Sequence, residues 1–137
     1  MTAIITQYGG SPYRHLVEMG RLAQQKGVIK GILLHQGESN NNDADWPKKV
    51  AKIYGDLLTD LKLTSAVPLL AGETVNADQQ GATASMNAII SELPKAVPTA
   101  HVISSQGCEC RRDHLHFMPA GYRELGRRYA EKMLTLL

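Results

Sequence analysis

Apolar residues recur along the chain in two alternating patterns, and the alternation predicts an α/β domain. Four segments carry apolar residues at helical spacing, and three short runs between them are apolar or β-branched, which is typical of strands. The predicted helices run from Pro12 to a stop at Gly27, over Trp46–Leu63, over Thr83–Leu93 with Pro94 as the stop, and from Pro119 onward. The predicted strands are 28–34, 67–71 and 101–105.

The order of these elements predicts a parallel sheet covered by helices. A helix-length connection joins each strand to the next, as parallel strands require. The stripes expected to face the core are Leu16, Met19 or Gly20, and Ala23 in the first helix, Val50, Ile53, Leu57 and Leu61 in the second, and Tyr122, Leu125, Tyr129 and Met133 in the last. We therefore predict a three-layer α/β/α fold.

The predicted sheet is small, and its first strand does not have the pattern of an edge strand. Residues 28–34 (VIKGILL) are apolar on both faces, which is typical of a strand in the interior of a parallel sheet. Sheets usually have about five or six strands, and this chain supplies three. We therefore expect the sheet to be incomplete, with an open edge at its first strand.

Composition limits the classes of function. The 137 residues are 43% hydrophobic and 20% charged, which suits a single domain with a sizeable core. A net charge of +2 and an aromatic content of 5% do not indicate a nucleic-acid partner. No apolar run approaches the roughly 18 residues of a membrane span, and Met1 to Gln7 lack the pattern of a signal peptide.

The two cysteines, Cys108 and Cys110, are separated by one residue. A disulfide between them would close a strained ring, so we expect free thiols.

Polar clusters follow each predicted strand. His35–Asn40 follows the first strand, Gly72-Glu73-Thr74 follows the second, and Asp113 and His116 lie a few residues after the third. Ligands of open parallel sheets bind outside the carboxyl ends of the strands. The connectivity alone therefore predicts that the three clusters meet at one edge of the sheet.

These side chains suit acyl chemistry. At a spacing of three residues, Asp113 can accept a hydrogen bond from the ring of His116 and so orient a general base. Glu38 offers a second carboxylate, and Gln36 offers an amide donor for an oxyanion. Taken singly, each has an ordinary structural interpretation, since such pairs are common at surfaces and such loop residues often cap helices.

Two runs resemble a known family. Gly31–Asn40, which contains His35-Gln36-Gly37-Glu38-Ser39-Asn40, resembles the HQGES(N/D) block of carbohydrate esterases related to family-six acetyl xylan esterases and sialate O-acetylesterases, in the SGNH-hydrolase superfamily. Asp113–Phe117 with Gly121-Tyr122 is similar to its closing D-x-x-H-F block. Trp46, Gly72-Glu73 and Met86-Asn87 also match, and the resemblance covers nearly all of the chain.

The resemblance implies a flavodoxin-like SGNH fold and the removal of O-acetyl groups from a glycan such as acetylated xylan. His116 would be the general base, with Asp113 or Glu38 as its carboxylate partner. The implied oxyanion and substrate residues are Gln36, Gly37, Ser39, Asn40 and Glu73. The implied reaction uses a serine acyl-enzyme and no metal or other cofactor. The implied partner is an acetylated polysaccharide or oligosaccharide, with no nucleic acid or membrane, outside the cytoplasm or in the periplasm.

The family's Gly-Gln-Ser-Asn nucleophile block and its glycine-bearing oxyanion block have no match in this chain. The first explanation is that residues 1–137 are the C-terminal part of a single SGNH-type esterase domain, inactive alone. In the second, a complementing N-terminal segment or a swapped oligomer supplies the missing strands and the serine. In the third, Ser39 or Ser11 has been recruited, although Ser11 also suits a helix cap before Pro12. In each case we expect self-association or a partner at the open sheet edge.

Two further interpretations stay open. Cys108, Cys110, His114 and His116 have zinc-ligand chemistry, but their spacing differs from the usual C-x2–4-C and H-x3–5-H patterns. A domain without its nucleophile could instead bind acetylated glycan without cleaving it. Trp46 and Tyr54 could then stack on sugar rings, although both also suit helix and core positions.

Overall fold

A parallel sheet of three strands lies at the centre of the computed structural model, which describes residues 10–63 and 66–137. The strands are β1 (Ile32–Leu34), β2 (Leu69–Gly72) and β3 (Ala100–Ile103). They are adjacent in chain order, with β2 in the middle. Ile32 lies opposite Leu69, and Leu69 lies opposite Ala100. The predicted parallel sheet is confirmed, while Met1 to Gln7 lie outside the described residues.

Within the described residues, five α-helices connect and cover the strands. They are α1 (Pro12–Gln24), α2 (Trp46–Asp60), α3 (Met86–Ile90), α4 (Leu93–Ala96) and α5 (Pro119–Leu134). All but α3 have a proline in the first turn, where its missing N–H breaks no helical hydrogen bond. Ser11 caps α1, accepting a 3.3 Å hydrogen bond from the Arg14 amide. None of these helices is long and apolar enough to span a bilayer.

The helices lie on both faces of the sheet, so the predicted three layers are confirmed. Side chains alternate between the faces along a strand. Leu69 and Ala71 of β2 join one core with α2, α3 and α4, and Trp46 is buried in it. Leu70 points to the other face, where it joins a second core with α5 and the buried Phe117.

The contact face of α1 differs from the predicted stripe. Val17 is buried against Leu57 and Leu61 of α2. Leu16 and Met19 are 52% and 43% exposed. The predicted stripe is wrong at Leu16 and Met19, because α1 packs mainly on α2 through one narrow face; Gly20, the alternative to Met19, does face Leu61.

The third predicted helix and the first predicted strand also change. Residues 83–93 contain α3, and Pro94, the predicted stop, lies in the first turn of α4. Proline is accommodated there because the first N–H groups of a helix have no partner within it. The first strand shortens from 28–34 to Ile32–Leu34, since the ladder with β2 begins at Ile32. Val28 is 78% exposed.

In the sheet formed by the described residues, β1 is an open edge flanked by apolar grooves. Leu33, in the middle of β1, is 64% exposed and lines a groove on each face of the strand. One groove includes Leu16 and Ile53, and the other includes Tyr129 and Met133. The apolar pattern that suggested an interior strand therefore belongs, within this sheet, to an uncovered edge.

Candidate functional site

Asp113 and His116 form a hydrogen-bonded pair on the loop between β3 and α5. His116 Nδ1 lies 2.8 Å from Asp113 Oδ2. An ionised carboxylate only accepts hydrogen bonds, so Nδ1 carries the proton and Nε2 is the basic nitrogen. The His116 side chain is 59% exposed, which leaves the imidazole accessible from outside the protein. This is the arrangement of a general base oriented by a carboxylate.

Backbone amides fix the Asp113 carboxylate. Its Oδ1 accepts hydrogen bonds from the amides of Leu115 and His116, both at 3.0 Å. The His116 amide, followed by the His116 ring and the Leu115 amide, holds the pKa of Asp113 well below its usual range. The carboxyl group is therefore ionised at neutral pH and stabilises a protonated imidazole.

The loop that carries this pair is closed by local hydrogen bonds. The Arg111 amide donates to the His116 carbonyl at 2.8 Å, and the His114 amide donates to the Arg111 carbonyl at 2.9 Å. His114 has a φ of 54°, an unusual conformation for a residue other than glycine. An antiparallel bridge joins Cys110 to Phe117, whose side chain is 1% exposed in the core. We call residues 111–116 the dyad turn.

Contacts of the His35 ring join the ends of β1 and β2 to Phe117, which directly follows the dyad turn. The His35 ring, directly after β1, lies with its centroid 5.8 Å from that of Phe117. Its Nε2 lies 3.2 Å from the backbone carbonyl oxygen of Glu73, directly after β2. His35 therefore links the end of β1 to the end of β2 and to Phe117, the residue that directly follows the dyad turn.

Gln36 is held by two side chains. Its Oε1 accepts a 2.7 Å hydrogen bond from the Trp46 indole, and its Nε2 donates to Asn40 Oδ1 at 2.8 Å. Asn40 in turn donates to Asp43 at 3.0 Å. Because a primary amide has two N–H donors, one N–H of Gln36 is left by the bond to Asn40. The amide is thus a fixed donor at the end of β1.

The remaining residues of the HQGESN run differ in exposure. Gly37 is buried, and a Cβ atom there would lie 3.1 Å from side-chain atoms of both Met86 and Thr74. Glu38 is partly buried at the start of a 3-10 turn, Glu38–Asn40, and Ser39 is exposed. No side-chain hydrogen bond or ion pair joins Glu38 to another residue in 10–63 or 66–137. Of the two candidate carboxylates, Asp113 is therefore the one in contact with His116.

Glu73 holds the loops after β2 and β3 together. Its Oε2 accepts hydrogen bonds from the Asn76 side chain at 3.0 Å, the Ser104 hydroxyl at 3.1 Å and the Ser105 amide at 2.9 Å. The Ser105 hydroxyl also donates to the Thr74 carbonyl at 2.6 Å. The sequence marked Glu73 for the site but gave no signal for its contacts with Ser104 and Ser105, which are distant in the chain.

A second buried polar cluster supports the same edge. The Thr74 backbone amide donates to Asn87 Oδ1 at 2.9 Å. The side-chain Nδ2 of Asn87 donates in return to the Thr74 backbone carbonyl at 3.2 Å. Thr74 is fully buried and Asn87 is 8% exposed. This paired exchange ties the end of β2 to α3 and so fixes the loop that begins with Glu73.

The two aromatic residues considered for sugar stacking are not available at the surface. Trp46 is 2% exposed and its indole donates to Gln36. Tyr54 is 8% exposed, and its hydroxyl contacts the Val67 carbonyl at 2.7 Å and the Thr99 hydroxyl at 2.9 Å. Of the two interpretations left open for these residues, sugar stacking is contradicted and the core position is confirmed, because both rings are part of the core on the α2 face.

The cysteine and histidine residues do not converge. Cys108 is buried in the core beside Phe117, and burial raises the pKa of its thiol. Cys110 Sγ lies 3.8 Å from His114 Nδ1, and both contact the Gln79 carbonyl, at 3.4 Å and 3.1 Å. Over the described part of the chain, no three His, Cys, Asp or Glu side chains are grouped to hold a metal ion. Both cysteines are free, as predicted.

Comparison with known proteins agrees with the fold and the motifs. The family model described as carbohydrate esterase, sialic acid-specific acetylesterase matches residues 2–135. A protein of Arabidopsis thaliana, solved by X-ray crystallography at 1.6 Å resolution, has a similar fold with a TM-score of 0.76 and 19% sequence identity. The match covers 90% of this chain and 52% of the Arabidopsis chain, so this chain spans about half that length. The chain therefore belongs to the sialic acid-specific acetylesterase family of carbohydrate esterases, a family of carboxylic-ester hydrolases.

Proposed function

We propose that this chain supplies the general base of an esterase that removes O-acetyl groups from a glycan. The observation that carries the proposal is the 2.8 Å contact between His116 Nδ1 and Asp113 Oδ2 at the edge where the three strands end. The family match supports acetyl esters of a sugar as the substrate class. Acetylated xylan and acetylated sialic acid both belong to this class.

His116 would act through Nε2. This nitrogen takes the proton of a serine hydroxyl as the serine oxygen attacks the acetyl carbonyl. The C–O bond to the sugar then breaks, and the departing sugar oxygen receives that proton. Water, activated in the same way, later releases acetate and restores the serine. Asp113 stabilises the imidazolium that forms in each half of the reaction.

The side chains around the dyad turn would bind the acetyl group and the developing oxyanion. The remaining N–H of Gln36 is a fixed donor, which suits an oxyanion that forms only in the transition state. Asn40 holds Gln36 in that orientation. Ser39, exposed beside it, would contact the sugar, and Gly37 and Glu73 would shape the edge that supports these donors.

We further propose that the serine comes from a segment that pairs with the open edge at β1. In this proposal residues 1–137 are the C-terminal part of one SGNH-type domain. Leu33 is 64% exposed between two apolar grooves, and a strand added beside it would cover both. A complementing N-terminal segment would supply both the strand and the serine, whereas a second copy of the chain would cover the edge but carries only the serines of this sequence.

Labelling with a fluorophosphonate tests where the serine lies. In a preparation that hydrolyses an aryl acetate, the probe should modify a serine outside residues 10–137, identified by mass spectrometry. Loss of labelling in His116→Ala would support the role of His116. Modification of Ser39 or Ser11 would instead show that a serine of this chain has been recruited.

Two isosteric substitutions separate the carboxylates. Asp113→Asn should reduce kcat by at least about a hundredfold, because His116 loses the carboxylate that orients and stabilises it. Glu38→Gln is the matched control and should leave kcat within about threefold, since Glu38 does not touch His116. The reverse pattern would contradict the assignment of Asp113 as the orienting residue.

A further inference from the structure

Two neighbouring carboxamides converge on one hydroxyl group beside the HQGESN run. The Ser85 hydroxyl lies 3.0 Å from Asn41 Oδ1 and 3.2 Å from Asn42 Oδ1. The two asparagines directly follow the run, and Ser85 directly precedes α3. All three residues are exposed. We call Asn41, Asn42 and Ser85 the asparagine cluster.

The described chain leaves the hydrogen bonds of the asparagine cluster incomplete. A hydroxyl group has one hydrogen, so Ser85 donates fully to only one of the two Oδ1 atoms at a time. The other Oδ1 therefore lacks a donor. Neither Nδ2 group of Asn41 and Asn42 has a hydrogen-bond partner among residues 10–63 and 66–137. The cluster thus presents an acceptor and two amide donor groups side by side.

The loop that carries these two asparagines is fixed by its other side chains. Asn40 uses both ends of its amide, on Gln36 and on Asp43. Asp43 also accepts a 2.6 Å hydrogen bond from Lys49 of α2. Asn42 has a φ of 65°, which asparagine tolerates better than most residues. Because the loop is ordered, its free carboxamides lose little conformational freedom when a ligand binds.

Residues 82–85 connect the asparagine cluster to the dyad turn. The Ala82 amide donates to the His114 carbonyl at 2.8 Å. Three residues span at most about 11 Å, so Ser85 lies within that distance of Ala82. Between them, Thr83 is 8% exposed, and its hydroxyl oxygen is buried without a hydrogen-bond partner in the described part of the chain. Buried hydroxyl groups are normally paired, so this segment holds a further polar group that the described residues leave unsatisfied.

We propose that Asn41 and Asn42 form a specificity subsite for free hydroxyl groups of the glycan, so that the esterase acts on partly acetylated chains. The proposal rests on the function proposed above, which places the ester at the dyad turn. A free sugar hydroxyl donates to the unsatisfied Oδ1 and accepts from an Nδ2 group. An acetylated hydroxyl has no hydrogen to donate, and a site built to bind a hydroxyl group discriminates strongly against an analogue that lacks it. The preferred substrate therefore carries free hydroxyl groups near its acetyl group.

Binding to the whole chain tests the subsite without requiring ester hydrolysis. Methyl β-xylopyranoside, whose hydroxyl groups are all free, and its fully O-methylated analogue would be titrated separately into nitrogen-15-labelled protein. NMR would follow the backbone amides and the side-chain NH2 groups of Asn41 and Asn42. The free glycoside should shift these two NH2 signals most. The methylated analogue should bind at least about tenfold more weakly, because it has no hydrogen to donate to Oδ1.

Substitution of the two asparagines provides the second arm. Asn41→Ala with Asn42→Gly should weaken the binding of the free glycoside at least about tenfold. Glycine is used at position 42 because it adopts the left-handed φ found there without strain. The matched control is Gln25→Ala, which removes an exposed carboxamide where the chain leads from α1 toward β1, and it should leave binding unchanged. Circular dichroism establishes that each variant is folded.

Three results would each overturn the proposal. They are equal binding of the two glycosides, no binding of the free glycoside, and unchanged binding of the free glycoside by the folded double variant. Each of them concerns binding alone and leaves the role of His116 intact. Failure of the proposed function would show separately, as fluorophosphonate labelling that persists in His116→Ala.

Discussion

The hydroxyl group of Tyr129 connects α5 to the end of β1, and its removal is a sharp test of how the site is supported. Tyr129 is 9% exposed, and its hydroxyl donates a 2.5 Å hydrogen bond to the Leu34 carbonyl. Leu34 is the last residue of β1 and directly precedes His35. Gly72 of β2 makes room for this contact, since a Cβ atom there would lie 2.4 Å from the Tyr129 hydroxyl.

The expected effect of Tyr129→Phe follows from the loss of this one hydrogen bond. A buried neutral hydrogen bond contributes about 0.5–1.5 kcal/mol to stability, and an acceptor left without its partner adds to the loss. We therefore expect the free energy of unfolding to fall by about 1–2 kcal/mol. For a chain of this length the melting temperature should fall by about 3–6 °C.

Urea and thermal unfolding, followed by circular dichroism, would measure this loss. Tyr122→Phe is the matched control: the same change on the same helix, at a ring that is 46% exposed. It should shift the free energy of unfolding by less than about 0.5 kcal/mol. Equal effects of the two substitutions, or no effect of Tyr129→Phe, would refute the role given to this hydrogen bond.

Two other predictions concern pH and the sheet edge. Because the folded protein lowers the pKa of Asp113, its contribution to stability is present above the unfolded pKa and is lost as pH falls through the folded pKa. Asp113→Asn should therefore lose less stability than the wild type between about pH 5 and pH 2, measured by urea unfolding; parallel pH profiles would contradict this. Leu33→Glu should abolish concentration-dependent association in sedimentation velocity, while the control Val28→Glu, outside β1, should not. A wild-type chain that stays monomeric, with the amides of β1 fully protected in hydrogen exchange, would contradict the edge proposal.

The sequence predicted those parts of the fold that depend on local pattern. The parallel sheet followed from short apolar runs separated by helix-length connections, and these survive in β1, β2 and β3. The same reasoning misjudged α1, because hydrophobic spacing does not say which neighbour a helix meets. Leu16 and Val17 are adjacent apolar residues, and only the position of α2 decides that Val17 is buried.

In the site, as in the fold, the contacts between residues close in the chain were predictable from the sequence. The spacing of Asp113 and His116 is local, so their hydrogen bond could be expected from the sequence. The partners of Glu73 could not, because Ser104 and Ser105 lie 31 and 32 residues away and reach it only through the register of β2 with β3. Trp46 was open to two interpretations, and burial decided for the core.

The dyad turn and the loop that carries Gln36 are held in place by separate sets of contacts. The orientation of His116 depends on Asp113, on amides of the same turn and on the bridge between Cys110 and Phe117. Gln36 is instead held by Trp46 and its own loop. None of these contacts requires a further strand at β1. In the proposed mechanism His116 is therefore oriented before a serine arrives, which reduces the ordering that the docking of the nucleophile segment must supply.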